Sequence, residues 1–179
     1  MNSSESSCLE LGSGPHSGTP PWLTVDTARG ADVRWNLGRG IPIANSCVQK
    51  IYTSHFLEHL EYRDAMKVLR ECHRVLMPGG EISVCVPTIE PWIRAYLSGV
   101  EVKPRSEWAN PHFADSGTPL DQVNYIAYYG GEHKLMFDDA FLEGVLRKAG
   151  FREVFSREFD STRDLPERRE HSIYAVGRK

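Results

Sequence analysis

Residues 54–60 read Ser-His-Phe-Leu-Glu-His-Leu, and His55, Glu58 and His59 within them form the pattern H-x-x-E-H. This is the inverted signature of zinc peptidases, with two imidazoles on one helical face and a carboxylate beside them. A zinc hydrolase built on His55 and His59 would also need a third protein ligand, a water-activating acid and a peptide cleft. A motif this short matches by chance often, so the surrounding elements must decide what it means. A second candidate lies upstream, where an apolar run ends in Leu9-Glu10-Leu11-Gly12-Ser13-Gly14-Pro15. A strand ending in G-x-G lets the backbone pass close to a ligand, because no Cβ intervenes. The third glycine of the dinucleotide fingerprint is missing, since His16 and Ser17 follow Pro15. Asp26 ends the next apolar run, where a carboxylate can accept hydrogen bonds from both hydroxyls of a ribose. The gap from the glycines to Asp26 is well short of the ~20 residues of a nicotinamide-dinucleotide site, which argues against that cofactor.

These residues need a scaffold, and the composition supplies limits on it. A chain of 179 residues holds one domain with a full core and little more. The apolar share is 40% and the charged share 25%, ordinary for a globular protein. A net charge of −3 without a basic block gives no reason to expect a nucleic-acid partner or an anionic-membrane surface. Residues 1–7 read as a polar tail without the pattern of a secretory signal, and no apolar run approaches the ~20 residues of a membrane span. A cytoplasmic location is expected, with Cys8, Cys47, Cys72 and Cys85 as buried reduced thiols, none of them in a C-x-x-C pair.

The pattern along the chain predicts short strands at residues 8–11, 22–26, 31–36, 48–54 and 81–87, and a closing pair at 151–160 and 171–179. A helix is expected over 63–80, stopped by Pro78, Gly79 and Gly80, with another near 91–99 and a third over 137–150 capped by Gly150. Strands alternating with helices indicate an α/β sheet. Residues 88–134 read as an irregular insertion or lid over an acceptor site, rich in Trp92, Tyr96, Trp108, Tyr125, Tyr128 and Tyr129. Those aromatics either line an acceptor pocket or form a satellite core.

Taken in order, "LELGSGP", "WLTVD", "ADVRWNL", "IYTSHFLEHL", "LRECHRVLMPGGEISVCVP" and "HKLMFDDAFLEGVLRKAGF" resemble the class I, Rossmann-like S-adenosylmethionine-dependent methyltransferases. The closest likeness is to small-molecule methyltransferases with a shortened first crossover, and it spans nearly all of residues 1–179 as a single domain. The resemblance implies a mostly parallel central sheet with an antiparallel C-terminal strand. It implies S-adenosylmethionine as cofactor, S-adenosylhomocysteine as product and no metal, because the segment after the fourth strand often reads "LEH" in that family. By the same resemblance Glu10 and Leu11 support the cofactor's amino-acid end, and Gly12, Ser13 and Gly14 pass under its methionine. Asp26 holds the ribose, Asn36 and Leu37 flank adenine, and Ser54 and His55 lie beside the sulfonium. Asn36 also reads simply as a turn former. His59 and His133 are the candidate general bases for a hydroxyl acceptor.

Residues 14–22 contain three prolines and no helical pattern, although a parallel crossover usually carries a helix. The first crossover helix is therefore expected to be missing and one sheet face thinly covered, by the insertion or by the partner in an apolar homodimer interface. Neither an N/D-P-P-Y/F motif nor a P-C dipeptide is present, which leaves oxygen methylation of a metabolite, sugar or lipid-linked intermediate as the expected reaction. The competing readings are a non-catalytic binding or assembly protein of the same fold and the zinc hydrolase.

Overall fold

A computed structural model describes residues 8–102 and 115–179. The tail at 1–7, and Trp108 with the middle of the expected lid, lie outside the described residues. The strands are β1 (Cys8–Leu11), β2 (Trp22–Asp26), β3 (Val33–Arg34), β4 (Val48–Ser54), β5 (Leu76–Pro87), β6 (Glu153–Ser156) and β7 (Ser172–Arg178). They form one sheet in the order β3-β2-β1-β4-β5-β7-β6. The first five pair in parallel, β7 runs antiparallel to β5, and β6 antiparallel to β7. The chain winds outward from β1 to β3 and then returns to β4 on the other side of β1. The carboxyl ends of β1 and β4 thus flank a topological switch point, where open α/β sheets bind ligands.

One face of the sheet carries Leu9, Leu11, Ile51, Ile82 and Val84, all essentially buried. Helices α1 (Tyr62–Val75) and α4 (Asp139–Ala149) cover it with Met66, Leu69 and Cys72 and with Leu142, Val145 and Leu146. Burying each such aliphatic side chain is worth about 1.5–3 kcal/mol, and this layer is the main core. Asp138 starts α4 by accepting from the Phe141 N–H, and Gly150 ends it in the left-handed region at φ 115°.

Among the described residues no helix packs on the opposite face from β1 to β4, as expected for a trimmed first crossover. Its side chains are largely polar, and the chain itself covers them. Trp22 packs edge-on to Tyr52 at 6.4 Å. The Tyr52 hydroxyl donates to Asp164 at 2.9 Å, and Arg157 clamps both Asp164 oxygens while its Nε–H donates to Ser83 at 2.9 Å. Residues 157–171, between β6 and β7, carry this network over the sheet. On the other flank Asp32 accepts from the N–H groups of Gly18 and Thr24 and from the hydroxyls of Ser17 and Thr24. Those bonds hold its carboxyl well below the usual range. They tie the proline-rich return segment to the sheet where a crossover helix would otherwise pack.

Some boundaries differ from the sequence pattern. The 63–80 helix ends at Val75, because Leu76 turns extended (φ −65°, ψ 139°) and pairs with Val48. Pro78, Gly79 and Gly80 fall in a bulge between the Val48–Leu76 and Lys50–Glu81 pairings, so they shape β5 and do not cap the helix. The insertion is more regular than its composition suggests. It holds α2 (Glu90–Ser98) and α3 (Leu120–Tyr128), packed through Trp92, Tyr125 and Ile126. Phe141 on α4 is 37% exposed and packs edge-on to Phe137. Cys47 is exposed, whereas Cys8, Cys72 and Cys85 are buried free thiols.

Candidate functional site

The glycine turn after β1 and the carboxylate after β2 are built as one unit. The Gly14 N–H donates to Asp26 Oδ2 at 3.0 Å and the Ala28 N–H to Oδ1 at 2.7 Å, so Asp26 is fixed in orientation while its remaining lone pairs stay available. Gly12 and Gly14 both sit in the left-handed region, at φ 70° and 68°. A Cβ on Gly14 would meet nothing within 4 Å, leaving an open backbone face. A Cβ on Gly12 would lie 2.4 Å from Phe56 Cγ, so at Gly12 the close approach is used by the chain's own aromatic ring. Glu10 is half-buried and its carboxyl is raised by burial, which the nearby His16 and Arg168 partly counter.

Other expected site residues land differently. Leu11 and Leu37 are core residues, 1% and 5% exposed, so neither side chain is presented to a ligand. Asn36 Oδ1 accepts from the Gly38 N–H at 2.9 Å and caps the 3₁₀ turn at Leu37–Arg39, which is the turn-forming role. The Ser13 hydroxyl donates to the Gly14 carbonyl. Ser54 is nearly buried, and both its carbonyl (3.1 Å) and its hydroxyl (2.7 Å) accept from Arg168. Arg168 is a site residue that spacing could not reveal, because it arrives from the β6–β7 segment, far along the chain.

The H-x-x-E-H stretch is not one helical face. His55 has φ 51°, only Leu57–His59 forms a 3₁₀ turn, and α1 starts at Tyr62. Glu58 lies between the two imidazoles, with Oε1 3.7 Å from His55 Nδ1 and 3.9 Å from His59 Nε2. Those separations exceed hydrogen-bond distance, and Glu58 is fully buried with no partner for either carboxyl oxygen. Burial pushes its carboxyl up to about 8. His55 shares a hydrogen bond with the Ser172 hydroxyl at 2.8 Å. Burial, together with Arg168 and the two other histidines, holds its imidazole neutral, down to about 3.

His59 and His133, the two candidate bases, do meet: their rings stand edge to face at 5.3 Å. Lys134 and Leu135 donate their N–H groups to the Glu58 carbonyl, which pins the His133 loop to the 3₁₀ turn. His133 is stacked on Tyr129 at 4.8 Å. The group opens into a cleft of about 340 Å³ between the strand ends and the insertion, lined also by Trp92, Tyr125 and Arg168. Trp92 Nε1 is buried there without a hydrogen-bond partner. Of the insertion's aromatics, Trp92, Tyr125 and Tyr129 thus serve both as satellite core and as cleft wall. Tyr96 and Tyr128 are exposed, at 41% and 63%.

Residues 10–84 match the family model of a methyltransferase domain. Three solved structures share the fold along nearly the whole chain. A SAM-dependent methyltransferase from Thermotoga maritima, described as a possible histamine N-methyltransferase, has a TM-score of 0.56 at 15% identity, covering 98% of this chain and 83% of that one. One from Archaeoglobus fulgidus has a TM-score of 0.59 at 14% identity, covering 99% and 87%. The chain thus has the fold of the S-adenosylmethionine-dependent methyltransferases. A third such methyltransferase, from Mesorhizobium loti, has a TM-score of 0.56 at 18% identity, covering 96% and 90%. Comparison with curated proteins by sequence finds no match. The neighbours matched by fold are described as S-adenosylmethionine-dependent, and the open Gly14 backbone beside the oriented Asp26 carboxylate fits that cofactor. No helix among the described residues is long and apolar enough to cross a membrane.

Proposed function

We propose that this chain is an S-adenosylmethionine-dependent methyltransferase that methylates a hydroxyl of a small molecule held in the aromatic cleft. The observation that carries the reading is the Asp26 carboxylate locked to the Gly14 N–H at the switch point, on the same carboxyl edge of the sheet as the cleft lined by histidines. When bound, S-adenosylmethionine supplies a sulfonium methyl, which needs alignment with the acceptor more than activation. Asp26 would accept from the ribose hydroxyls, and the Gly14 backbone would support the methionine end. Glu10, Ser13, Ser54 and His55 flank the same end, and the Arg168 guanidinium beside Ser54 offers a charge for the methionine carboxylate. Leu11 and Leu37 contribute through their backbone, and Asn36 by holding its turn. His59 and His133 each donate Nδ1–H to a backbone carbonyl, of Glu132 and Ile126, which leaves Nε2 with the lone pair that can serve the acceptor's hydroxyl. Trp92 and Tyr129 give the acceptor an apolar wall.

Calorimetric titration of metal-free protein with S-adenosylmethionine and S-adenosylhomocysteine tests this. One ligand per chain is expected, bound about 10–100-fold more weakly by Asp26→Ala, since charge-assisted hydrogen bonds contribute about 1.5–3 kcal/mol. Binding by neither ligand would sink the reading. It would favour a non-catalytic relative, for which the Phe56 ring seated on Gly12 is the supporting observation.

The covered, polar helix-free face supports a chain that does not pair through it. Sedimentation at micromolar concentration is expected to give a monomer. A dimer would place the interface elsewhere, with the exposed Ile93, Tyr96 and Leu97 of α2 as the first region to examine.

A further inference from the structure

We propose that Glu58, His59 and His133 hold a divalent transition-metal cation in the wall of the cleft, and that the cation activates the acceptor's hydroxyl. The metal site stands on its own geometry, and its catalytic use rests on the methyltransferase reading. One ligand atom from each of the three side chains lies within 4.8 Å of the others. Bonds of about 2.0–2.2 Å place neighbouring ligand atoms about 3–4 Å apart, so side-chain shifts of about 0.5–1 Å would close the site. Both imidazoles are prepared for this. Each Nδ1–H is spent on a backbone carbonyl, at 3.2 Å for His59 and 2.8 Å for His133, which fixes the tautomer that leaves Nε2 as the ligating atom. Donation of the second ring N–H to a carbonyl is how metal-bound histidines are usually oriented.

Glu58 is the independent observation. Its carboxyl is fully buried, and neither oxygen has a hydrogen-bond partner. A polar group left so inside a folded chain calls for a partner, and a cation between Glu58 and the two Nε2 atoms supplies it. The backbone bonds from Lys134 and Leu135 to the Glu58 carbonyl hold the loop with His133 against the turn with Glu58, so the three ligands are positioned before any ion arrives. Two imidazoles and a carboxylate suit zinc and its first-row neighbours, and three protein ligands leave an open position toward the cleft. The H-x-x-E-H pattern suggested a cation held by His55 and His59. The geometry instead recruits the central Glu58, keeps His59 and replaces His55 by His133.

In the proposed role the acceptor's hydroxyl oxygen coordinates the cation. Its O–H bond would break, the proton would leave to water in the open cleft, and the oxygen's electron pair would form the O–CH3 bond as the sulfonium S–CH3 bond breaks, its pair staying on sulfur in S-adenosylhomocysteine. The cation is neither oxidised nor reduced. With Nε2 of both histidines on the cation, they act as ligands and not as bases.

Cobalt(II) is the probe, titrated into the metal-free full chain and followed by visible d–d absorption, with S-adenosylhomocysteine calorimetry run in parallel. One cobalt per chain is expected, at least about 10-fold weaker in Glu58→Gln and in His133→Ala, with S-adenosylhomocysteine affinity retained in Glu58→Gln. His59→Gln, at a more exposed ring, gives the same readout if either variant fails to fold. No stoichiometric cobalt spectrum, or one that survives Glu58→Gln, His133→Ala and His59→Gln, overturns the site. Cobalt bound by a chain that binds no S-adenosylhomocysteine keeps the site and removes its catalytic use.

Discussion

Replacing Arg157 by methionine is expected to lower the unfolding free energy by about 3–5 kcal/mol at pH 7, because it leaves a buried carboxylate unpaired. Asp164 is 0% exposed at its side chain, and Arg157 meets both its oxygens, at 2.6 and 2.7 Å. Burial alone would raise the Asp164 carboxyl. The Arg157 pair, the Asp160 N–H and the Tyr52 hydroxyl outweigh it, and the net shift is downward. The sign of the pH dependence follows. A lowered carboxylate contributes stability that is fully present above the ordinary value near ~3.9 and is lost as pH falls through the folded-state value. In Arg157→Met only the Asp160 N–H and the Tyr52 hydroxyl still oppose burial, so the carboxyl rises relative to wild type and its penalty is relieved by acid. The gap between wild type and variant is therefore expected to narrow as pH falls from 7 toward 4. Urea unfolding at the two pH values measures it. A gap that stays constant with pH would trace the effect to lost packing of Arg157 on the Tyr174 ring, 4.7 Å away, and not to the charge.

The second large effect is expected at Gly12. Gly12→Ala places a side chain in the left-handed region, which costs about 1–2 kcal/mol. It also drives that side chain to 2.4 Å from the Phe56 ring. Overpacking of this kind costs about 1–3 kcal/mol more. Gly14→Ala bears only the first penalty, because the space beside it is open. Thermal unfolding should thus rank Gly12→Ala well below Gly14→Ala. Adding Phe56→Ala to Gly12→Ala should remove the overlap and narrow the difference between the two glycine sites. Equal destabilisation by the two single variants would show that Phe56 does not rest on Gly12 in solution. S-adenosylhomocysteine titration of the same proteins then reports whether the ring also limits cofactor access.

The local pattern carried much of this architecture. Short apolar runs in β1, β2, β4 and β5, the amphipathic spacing of α1 and α4, and the cap at Gly150 are local properties of the chain, so they are legible one segment at a time. The missing first crossover helix was legible for the same reason, since prolines forbid it whatever packs nearby. Asp26 and the glycine turn also stood out, because a turn and a strand-ending acid are set by neighbours in sequence. Tertiary contact decided the rest. Helix α1 ends at Val75 because Leu76 finds Val48 across the sheet, a pairing that no helical pattern encodes. The helix-free face became a polar, self-covered surface because Arg157 and Asp164 reach it from a distant segment. His55, Glu58 and His59 looked like a ligand set in the sequence because spacing assumes a helix. The positive φ at His55 breaks that helix, and His133, carried in by the insertion, completes a different cluster around Glu58. Spacing along a chain fixes which side chains can share a local face, and only long-range packing brings the fourth residue to the other three.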